Sequence, residues 1–256
     1  MHLLYCRMYR YFMHMAYDGT AYRGWQTQPG GKTVQQAVEH ALSALIGEDI
    51  SVTGAGRTDT GVHASFFVAH FDTGIALEDQ MEHLVFRLNR FLPEDIVVYR
   101  LHQVPGDMHA RFSATSRTYH YHISTVKPLY TRNYTHYVYG PLNVEEIARC
   151  CEIIMETTDF TSFSKLHTDV KNNHCRIMEA AWKKVDNGYL FEIRADRFLR
   201  NMVRSIVGTL LDVGQGKIDR EDFRQIVNAK DRSAAGMSAP AKGLFLVDVT
   251  YRTQQD

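Results

Sequence analysis

The chain has 256 residues, of which 45% are hydrophobic and 23% charged, and its formal net charge is zero. These values suit a globular protein that buries a sizeable core, as one large domain or two smaller ones. A neutral chain cannot attract nucleic acid through bulk charge alone. Basic residues outnumber acidic ones only after about residue 105. Any binding to nucleic acid therefore has to depend on local basic patches.

The chain lacks the signals of a membrane or secreted protein. No apolar run approaches the roughly 18 residues that a membrane-spanning helix needs. Arg7 and Arg10 interrupt the first ten residues before the apolar core of a signal peptide could form. We therefore expect a cytoplasmic protein.

The cysteines and histidines do not have the spacing of a metal site. Cys6 and Cys175 are isolated, Cys150 and Cys151 are adjacent, and no CxxC or HExxH occurs. His167 and His174 lie near Cys175 without a matching second ligand pair. We therefore predict free buried thiols and no metal.

In the first half of the chain, alternating and helical patterns follow one another. Thr33 and Gln36 have the spacing of a capping box, an apolar stripe follows, and Gly47 is a typical helix end. We predict strands at 9–17, 50–54, 66–71 and 95–101, and helices at 33–47 and 78–90.

The second half has a similar rhythm. We predict strands at 117–123, 176–184, 189–195 and 243–251, and helices at 143–156, 198–213 and 219–228. The repeated plan indicates the α+β class, with an N-terminal domain over 1–105 and a C-terminal domain over 106–256. A cleft between two such halves is the expected place for a site.

The stretch GAGRTDTGVHA, residues 54–64, contains a single acidic residue, Asp59. Asp-Thr-Gly is also the tripeptide of aspartic proteases, where apolar residues precede the acid and two carboxylates share one proton. Here Arg57 and Thr58 precede it, and a nearby cation favours a fully ionised carboxylate. A tight turn in which Asp59 only caps the backbone is the other interpretation. The surrounding glycines and Arg57 favour a binding or catalytic loop.

Two further stretches have residue types suited to RNA. In residues 109–123, Arg111 and Arg117 alternate with Tyr119 and Tyr121, as in sites that bind unpaired bases, although Tyr121 is better explained as a core residue. A helix starting near Phe198 would place three arginines on one stripe, namely Arg197, Arg200 and Arg204. Arg204 lies between apolar neighbours and needs a carboxylate partner, for which Asp59 is the candidate.

These stretches together resemble the TruA family of tRNA pseudouridine synthases, which isomerise uridines in the tRNA anticodon stem-loop. The resemblance runs through nearly the whole chain except the first eight residues. The motifs that carry it stand in the family's order: YDGTAYRGWQ, TVQQAVEHAL, GAGRTDTGVHA, VAHFDT, HARFSATSRTYHY, FLRNMVRSIVG and APAKGLFL.

The resemblance implies a role for several residues. Asp59 corresponds to the catalytic aspartate, Arg57 to the arginine near it, and Tyr119 to the tyrosine that stacks on the target uracil. Arg204 corresponds to the basic residue paired with the catalytic acid. We also predict substrate contacts from His63, Arg111, Arg197 and Arg200, with Lys165 and Lys171 extending the basic patch.

The same resemblance implies two similar domains related by a pseudo-twofold axis, with the active cleft between them. It further implies a homodimer that binds tRNA, modifies uridines at tRNA positions 38, 39 and 40, and uses neither a metal nor an organic cofactor. Two alternatives stay open at this point. One is a non-catalytic tRNA-binding protein on the same scaffold, and the more remote one is an aspartic protease.

Overall fold

The computed structural model describes residues 8–165 and 172–252, and the described part of the chain forms two compact units. The first unit comprises the chain up to Thr115 together with the segment from Asp248 onward, and the second comprises Ser116–Val247. The predicted domains, 1–105 and 106–256, differ from these units in the assignment of residues 106–115 and of the C-terminal segment. That domain organisation stays a prediction.

The first unit contains an antiparallel sheet with strand order β4-β1-β3, and β2 pairs with β3. Its central strand β1 is buried at every residue from Tyr11 to Tyr17, because both of its faces are covered. The elements are β1 (Tyr9–Tyr17), α1 (Val34–Ile46), β2 (Val52–Gly54), β3 (His63–Thr73), α2 (Met81–Phe91) and β4 (Ile96–Val104).

Helix α1 begins and ends where its sequence predicts. The Thr33 hydroxyl oxygen accepts a hydrogen bond from the Gln36 backbone N–H, and Gly47 follows the helix with a φ of 85°. The buried residues Val34, Val38, Ala41 and Leu42 form the apolar stripe that holds the helix on the sheet. The predicted start, end and buried face are thus confirmed.

The second unit contains an antiparallel sheet with strand order β5-β8-β7, and the short strand β6 runs parallel to the end of β5. The elements are β5 (Ala114–Ser124), β6 (His136–Tyr137), α3 (Val144–Glu156), β7 (Ile177–Val185), β8 (Gly188–Ala195), α4 (Met202–Gly214) and α5 (Arg220–Ala229), and the last strand, β9 (Leu244–Tyr251), begins in the second unit and ends in the segment from Asp248 that belongs to the first. Short 3₁₀ helices occupy Thr161–Phe163, Arg232–Ala234 and Ala241–Gly243. The mixture of sheets and helices confirms the α+β class.

Helix α4 corrects one prediction. It begins at Met202, and Asn201 before it has a left-handed backbone with a φ of 65°. A residue in this conformation cannot continue an α-helix, so the predicted start near Phe198 is wrong. Eleven of its thirteen residues are buried, which makes α4 the core helix of the second unit.

Candidate active site

Asp59 lies in the loop between β2 and β3, which we call the Asp59 loop, residues 55–62. Backbone hydrogen bonds hold the loop at both ends: Ala55 N–H donates to Val68 O at 2.8 Å, and Val62 N–H donates to Asp59 O at 3.1 Å. Thr58 is buried and Asp59 is half-buried. The carboxylate therefore sits on a backbone that is fixed immediately before and after it.

A second loop, residues 18–26, packs on the Asp59 loop with its backbone. Trp25 N–H donates to Thr58 O at 3.2 Å, and Gly61 N–H donates to the Tyr22 carbonyl at 3.3 Å. Gly24 has a φ of 83°, and a Cβ added there would lie 2.3 Å from the Thr58 carbonyl oxygen. This close approach leaves room only for glycine.

Side chains reinforce the same contact. The hydroxyls of Tyr17 and Thr58 lie 2.9 Å apart, and both residues are buried. The Tyr22 hydroxyl donates to Asp95 Oδ1 at 2.5 Å, and burial is the main cause that raises the pKa of Tyr22. These bonds join β1, the 18–26 loop and the residue before β4 into one support for the Asp59 loop.

His63 follows the Asp59 loop as the first residue of β3 and is only 1% exposed. Its Nδ1 lies 3.0 Å from Asp18 Oδ1 and 3.1 Å from the Gly19 backbone nitrogen. A proton on Nδ1 would be donated to Asp18, whereas an unprotonated Nδ1 accepts from the Gly19 N–H. Because His63 is so deeply buried, a role in positioning the Asp59 loop is favoured. The predicted contact of His63 with substrate stays a prediction.

Arg57 is exposed on the Asp59 loop, two residues before the acid. Arg111, also in the first unit, is exposed as well, and its guanidinium carbon lies 5.5 Å from the centre of the Phe112 ring. Both residues are therefore accessible to a ligand from solvent.

In the second unit, Tyr119 lies on β5 and is half-buried. Its ring packs edge-to-face on Phe198, with 5.0 Å between the ring centres and 87° between the planes. Tyr121, two residues later on the same strand, is fully buried, and its hydroxyl donates to Pro240 O at 2.8 Å. The prediction that Tyr121 belongs to the core is confirmed. Tyr119 keeps part of its ring accessible beside a fixed aromatic neighbour.

Arg204 lies on α4 and is half-buried. Its Nε donates to the Ala239 carbonyl at 2.8 Å, and the Ala239 N–H donates to the Arg204 carbonyl at 2.9 Å. The helix touches this neighbouring segment closely, because a Cβ added to Gly208 would lie 1.8 Å from Met237 O. The predicted partnership of Arg204 with Asp59 stays a prediction.

The predicted arginine stripe on a single helix is wrong, because Arg197 and Arg200 precede α4. Arg197 is half-buried and donates from Nη1 to Asn172 Oδ1 at 3.4 Å. Arg200 is exposed, and its carbonyl accepts a hydrogen bond from the Lys165 N–H at 3.1 Å. Folding thus brings Lys165 next to Arg200, whereas Lys171 lies outside the described residues.

The Asp-Thr-Gly tripeptide occurs a second time, at residues 72–74. Asp72 pairs with Arg10, whose Nε and Nη2 donate to its two carboxylate oxygens at 2.7 and 2.6 Å. The hydrogen bonds from Arg10 lower the pKa of Asp72, which therefore stays ionised. A protease dyad needs two carboxylates that share a proton, so this second copy does not provide one.

Several supporting residues carry no sequence signal of their own. Asp95 and Ser238 are examples: Asp95 accepts from Tyr22, and the Ser238 hydroxyl accepts from Asn201 Nδ2 at 2.6 Å and from Arg232 Nη2 at 3.0 Å. The contacts of Asp95 with Tyr22 and of Ser238 with Asn201 join distant parts of the chain, so no local pattern predicts them.

A metal cluster or a membrane-spanning helix would change the class of site. Within residues 8–165 and 172–252, no three His, Cys, Asp or Glu side chains converge in a way that could hold a metal ion. No helix in that part of the chain is both long and apolar enough to cross a membrane. Cys150, Cys151 and Cys175 are free and buried, as predicted, and Cys6 lies outside the described residues.

Comparison with known proteins identifies the class. The model of the tRNA pseudouridine synthase family matches residues 13–113 and 157–252, which include the Asp59 loop, Arg204 and the 18–26 loop. The chain therefore belongs to the tRNA pseudouridine synthase family, and it is an isomerase of the pseudouridine synthase type.

Similar relatives among the compared proteins place the chain in the TruA branch of the family. The chain is 53% identical to a tRNA pseudouridine synthase A of Bacteroides thetaiotaomicron, over 95% of this chain and 91% of that protein. It is 50% identical to the protein of the same name from Parabacteroides distasonis, over 95% and 96% of the two chains. The corresponding Bacillus subtilis protein is 40% identical, over 93% and 97%.

Proposed function

We propose that this enzyme isomerises uridine to pseudouridine at one or more of positions 38, 39 and 40 of the tRNA anticodon stem-loop, with Asp59 as the catalytic residue. The observation that carries the proposal is the double support of the Asp59 loop. Hydrogen bonds from Trp25 and Gly61 hold its backbone against the 18–26 loop, and the Tyr17 hydroxyl meets that of Thr58. A carboxylate fixed in this way needs little reorganisation before it reacts.

The reaction requires the target base to leave the stacked helix, at a cost of a few kcal/mol. Stacking of the flipped uracil on Tyr119 would return about 1–3 kcal/mol. Phe198 supports this role, because its edge-to-face contact fixes the orientation of the Tyr119 ring before substrate arrives. Arg57, exposed on the Asp59 loop, would help to hold the flipped-out nucleotide.

The bond changes follow from the product. The bond between C1′ and N1 of uridine breaks, the uracil rotates, a bond forms between C1′ and C5, and the C5 proton is lost to solvent while N1 gains a proton. Ionised Asp59 would either bond to C1′ as the base departs and be displaced when C5 attacks C1′, or accept a proton from the sugar as the base departs and return it when the C1′–C5 bond forms. Both routes use the same carboxylate.

The remaining predicted residues form the binding part of the proposal. Arg111, Arg197, Arg200 and Lys165 would contact phosphates, and Arg204 would be the basic partner of the catalytic carboxylate. The protein would act as a cytoplasmic homodimer. Because binding would depend on local cations, affinity for tRNA should fall steeply between low and physiological salt.

The test is tritium release from tRNA transcripts labelled at C5 of uridine, with wild type and Asp59→Asn side by side. Release by the wild type alone, with equal tRNA binding by both proteins, supports the proposal. Tritium release by both proteins would show that Asp59 is not the catalytic residue. Binding without release by either would instead favour a non-catalytic tRNA-binding protein. Sequencing of the modified positions then tests the choice of uridines.

A further inference from the structure

The second unit has a surface of exposed aromatic rings that the proposed reaction does not use. It lies on residues 125–139 between β5 and α3, which we call the tyrosine loop. Tyr130 is 89% exposed and Tyr139 is 86% exposed, with Leu129 at 65%. Large rings left in water to this extent forgo the burial that would stabilise the fold, and such patches commonly mark interaction sites.

Hydrogen bonds hold the tyrosine loop in place, so its rings are presented by an ordered backbone. Tyr134 N–H donates to Thr131 O at 2.9 Å, and Lys242 Nζ donates to Arg132 O at 2.8 Å. At the end of the loop, Val138 N–H donates to Ser124 O at 2.9 Å and Val138 is buried. Successive side chains of an extended segment alternate in direction, so Tyr139 points outward next to Val138.

The charged side chains within the tyrosine loop all have one sign. No Asp or Glu occurs between Asp107 and Glu145, a range that contains the whole tyrosine loop. Lys127 and Arg132 are both exposed within it. Arg132 uses Nη1 to donate to Leu129 O at 2.9 Å, which orients the guanidinium and leaves most of its five donors for a ligand.

Exposed tyrosines interleaved with cations fit an unpaired stretch of RNA. Every base offers a face for stacking, and the adjacent phosphates pair with Lys and Arg. A second copy of this chain is a poorer match. A two-fold contact through the tyrosine loop would bring Lys127 and Arg132 against the same loop of the other copy, which has no carboxylate to compensate.

We propose that the tyrosine loop is an additional tRNA-binding surface, on which Tyr130 and Tyr139 stack unpaired bases while Lys127 and Arg132 bind the neighbouring phosphates. This inference rests on the proposed function in one respect, which is that the RNA bound by the tyrosine loop is tRNA. It concerns binding and adds no chemical step, so the loop should affect KM and the dissociation constant rather than kcat.

The experiment measures the binding of an unmodified, fluorescently labelled tRNA transcript to the full-length protein across a series of salt concentrations. The paired substitution Tyr130→Ala and Tyr139→Ala should weaken binding about tenfold or more, because each lost base stack alone is worth about 5- to 150-fold. The pair Lys127→Ala and Arg132→Ala should reduce the slope of log affinity against log salt by about 1.5.

Two controls separate stacking from general damage. Tyr130→Phe with Tyr139→Phe keeps both rings and should bind tRNA as the wild type does. Tyr99→Ala removes a tyrosine that is 55% exposed on β4 and should have no effect. Because all these side chains are exposed, the variants should keep the wild-type thermal midpoint, which is measured alongside.

Unchanged affinity and salt slope in both Ala pairs would overturn the inference. So would a lower oligomeric state in sedimentation velocity with tRNA affinity retained, which would assign the loop to contact with a second copy. The two proposals fail separately. Tritium release at the wild-type level with a normal KM in the Ala pairs would rule out only the proposed role of the tyrosine loop. Loop-dependent tRNA binding without any tritium release would rule out only the proposed isomerisation.

Discussion

The hydroxyl of Tyr17 and the hydroxyl of Thr58 lie 2.9 Å apart in the core of the first unit. Tyr17 is the last residue of β1, and Thr58 immediately precedes Asp59 in the loop after β2. One buried hydrogen bond therefore connects the central strand of the sheet to the loop proposed to carry the catalytic carboxylate.

Removal of this bond should reduce both stability and turnover. We expect Tyr17→Phe and Thr58→Val each to lower the free energy of unfolding by about 1–3 kcal/mol, because each leaves a buried hydroxyl without that partner. The double variant should lose less than the sum of the two, since neither hydroxyl then remains. Urea denaturation measures the stability, and tritium release from tRNA should show a lower kcat. Strict additivity of the two losses would mean that the hydroxyls do not interact.

Gly24 in the 18–26 loop and Gly47 after α1 allow a matched comparison. Gly24 and Gly47 have nearly the same φ, 83° and 85°, but an added Cβ meets the Thr58 carbonyl at 2.3 Å only at Gly24. Gly47→Ala should therefore cost about 1–2 kcal/mol from its backbone conformation alone. Gly24→Ala should cost clearly more and should also reduce activity, because the Asp59 loop must move. Thermal melts and tritium release compare the two, and equal costs would show that the close contact has no energetic effect.

Two buried histidines should make the protein sensitive to acid. Burial lowers the pKa of His14 and of His70 from 6.5 to about 4. The unfolded chain thus binds protons that the folded chain does not, and stability present above pH 6.5 is lost as the pH falls towards 4. Each histidine contributes a slope of up to about 1.4 kcal/mol per pH unit in that range.

Urea denaturation between pH 7 and 4.5 measures this loss. His14→Gln and His70→Gln should each flatten the profile, since glutamine does not titrate. His83→Gln provides a control, because His83 is exposed on α2 and should leave the slope unchanged. A wild-type profile that is flat from pH 7 to 5 would contradict the prediction.

The packing of Tyr119 on Phe198 should be visible in the kinetics. Phe198→Leu removes the edge-to-face contact, which is worth about 0.5–1.5 kcal/mol, and leaves the Tyr119 ring without its fixed neighbour. We expect kcat/KM for tRNA to fall about 2- to 10-fold. Phe198→Tyr keeps the ring and should preserve kcat/KM, whereas equal losses in both variants would point to general disruption.

The buried thiols should react slowly in the folded protein. Burial raises the pKa of Cys150 to about 11 and that of Cys151 and Cys175 to about 12, so almost no thiolate is present at pH 8. In a Cys6→Ser background, Ellman's reagent should label these thiols only over the time course of unfolding. Rapid labelling of the folded protein would show that at least one of them is accessible. Addition of denaturant should make all three react quickly.

The regular elements were predictable because local sequence determines them. The boundaries of α1 follow from two residues at its ends, a capping hydroxyl at Thr33 and a left-handed glycine at Gly47. Its buried face follows from the periodicity of its apolar residues. The start of α4 was not predictable in this way. Its apolar pattern extends back to Phe198, but the left-handed backbone at Asn201 ends it earlier. Contacts with distant residues, such as the Asn201 bond to Ser238, help to hold that conformation, and the spacing of apolar residues does not predict them.

By itself, the sequence determined the family and the residue types of the candidate site, because GAGRTDTGVHA and the other motifs are local and specific. Only the tertiary structure decided what supports those residues. The Tyr17 contact with Thr58, the bond from Tyr22 to Asp95 and the burial of His63 all join positions far apart in the chain. Such contacts depend on how strands and loops meet in three dimensions, and no spacing along a single sequence encodes that.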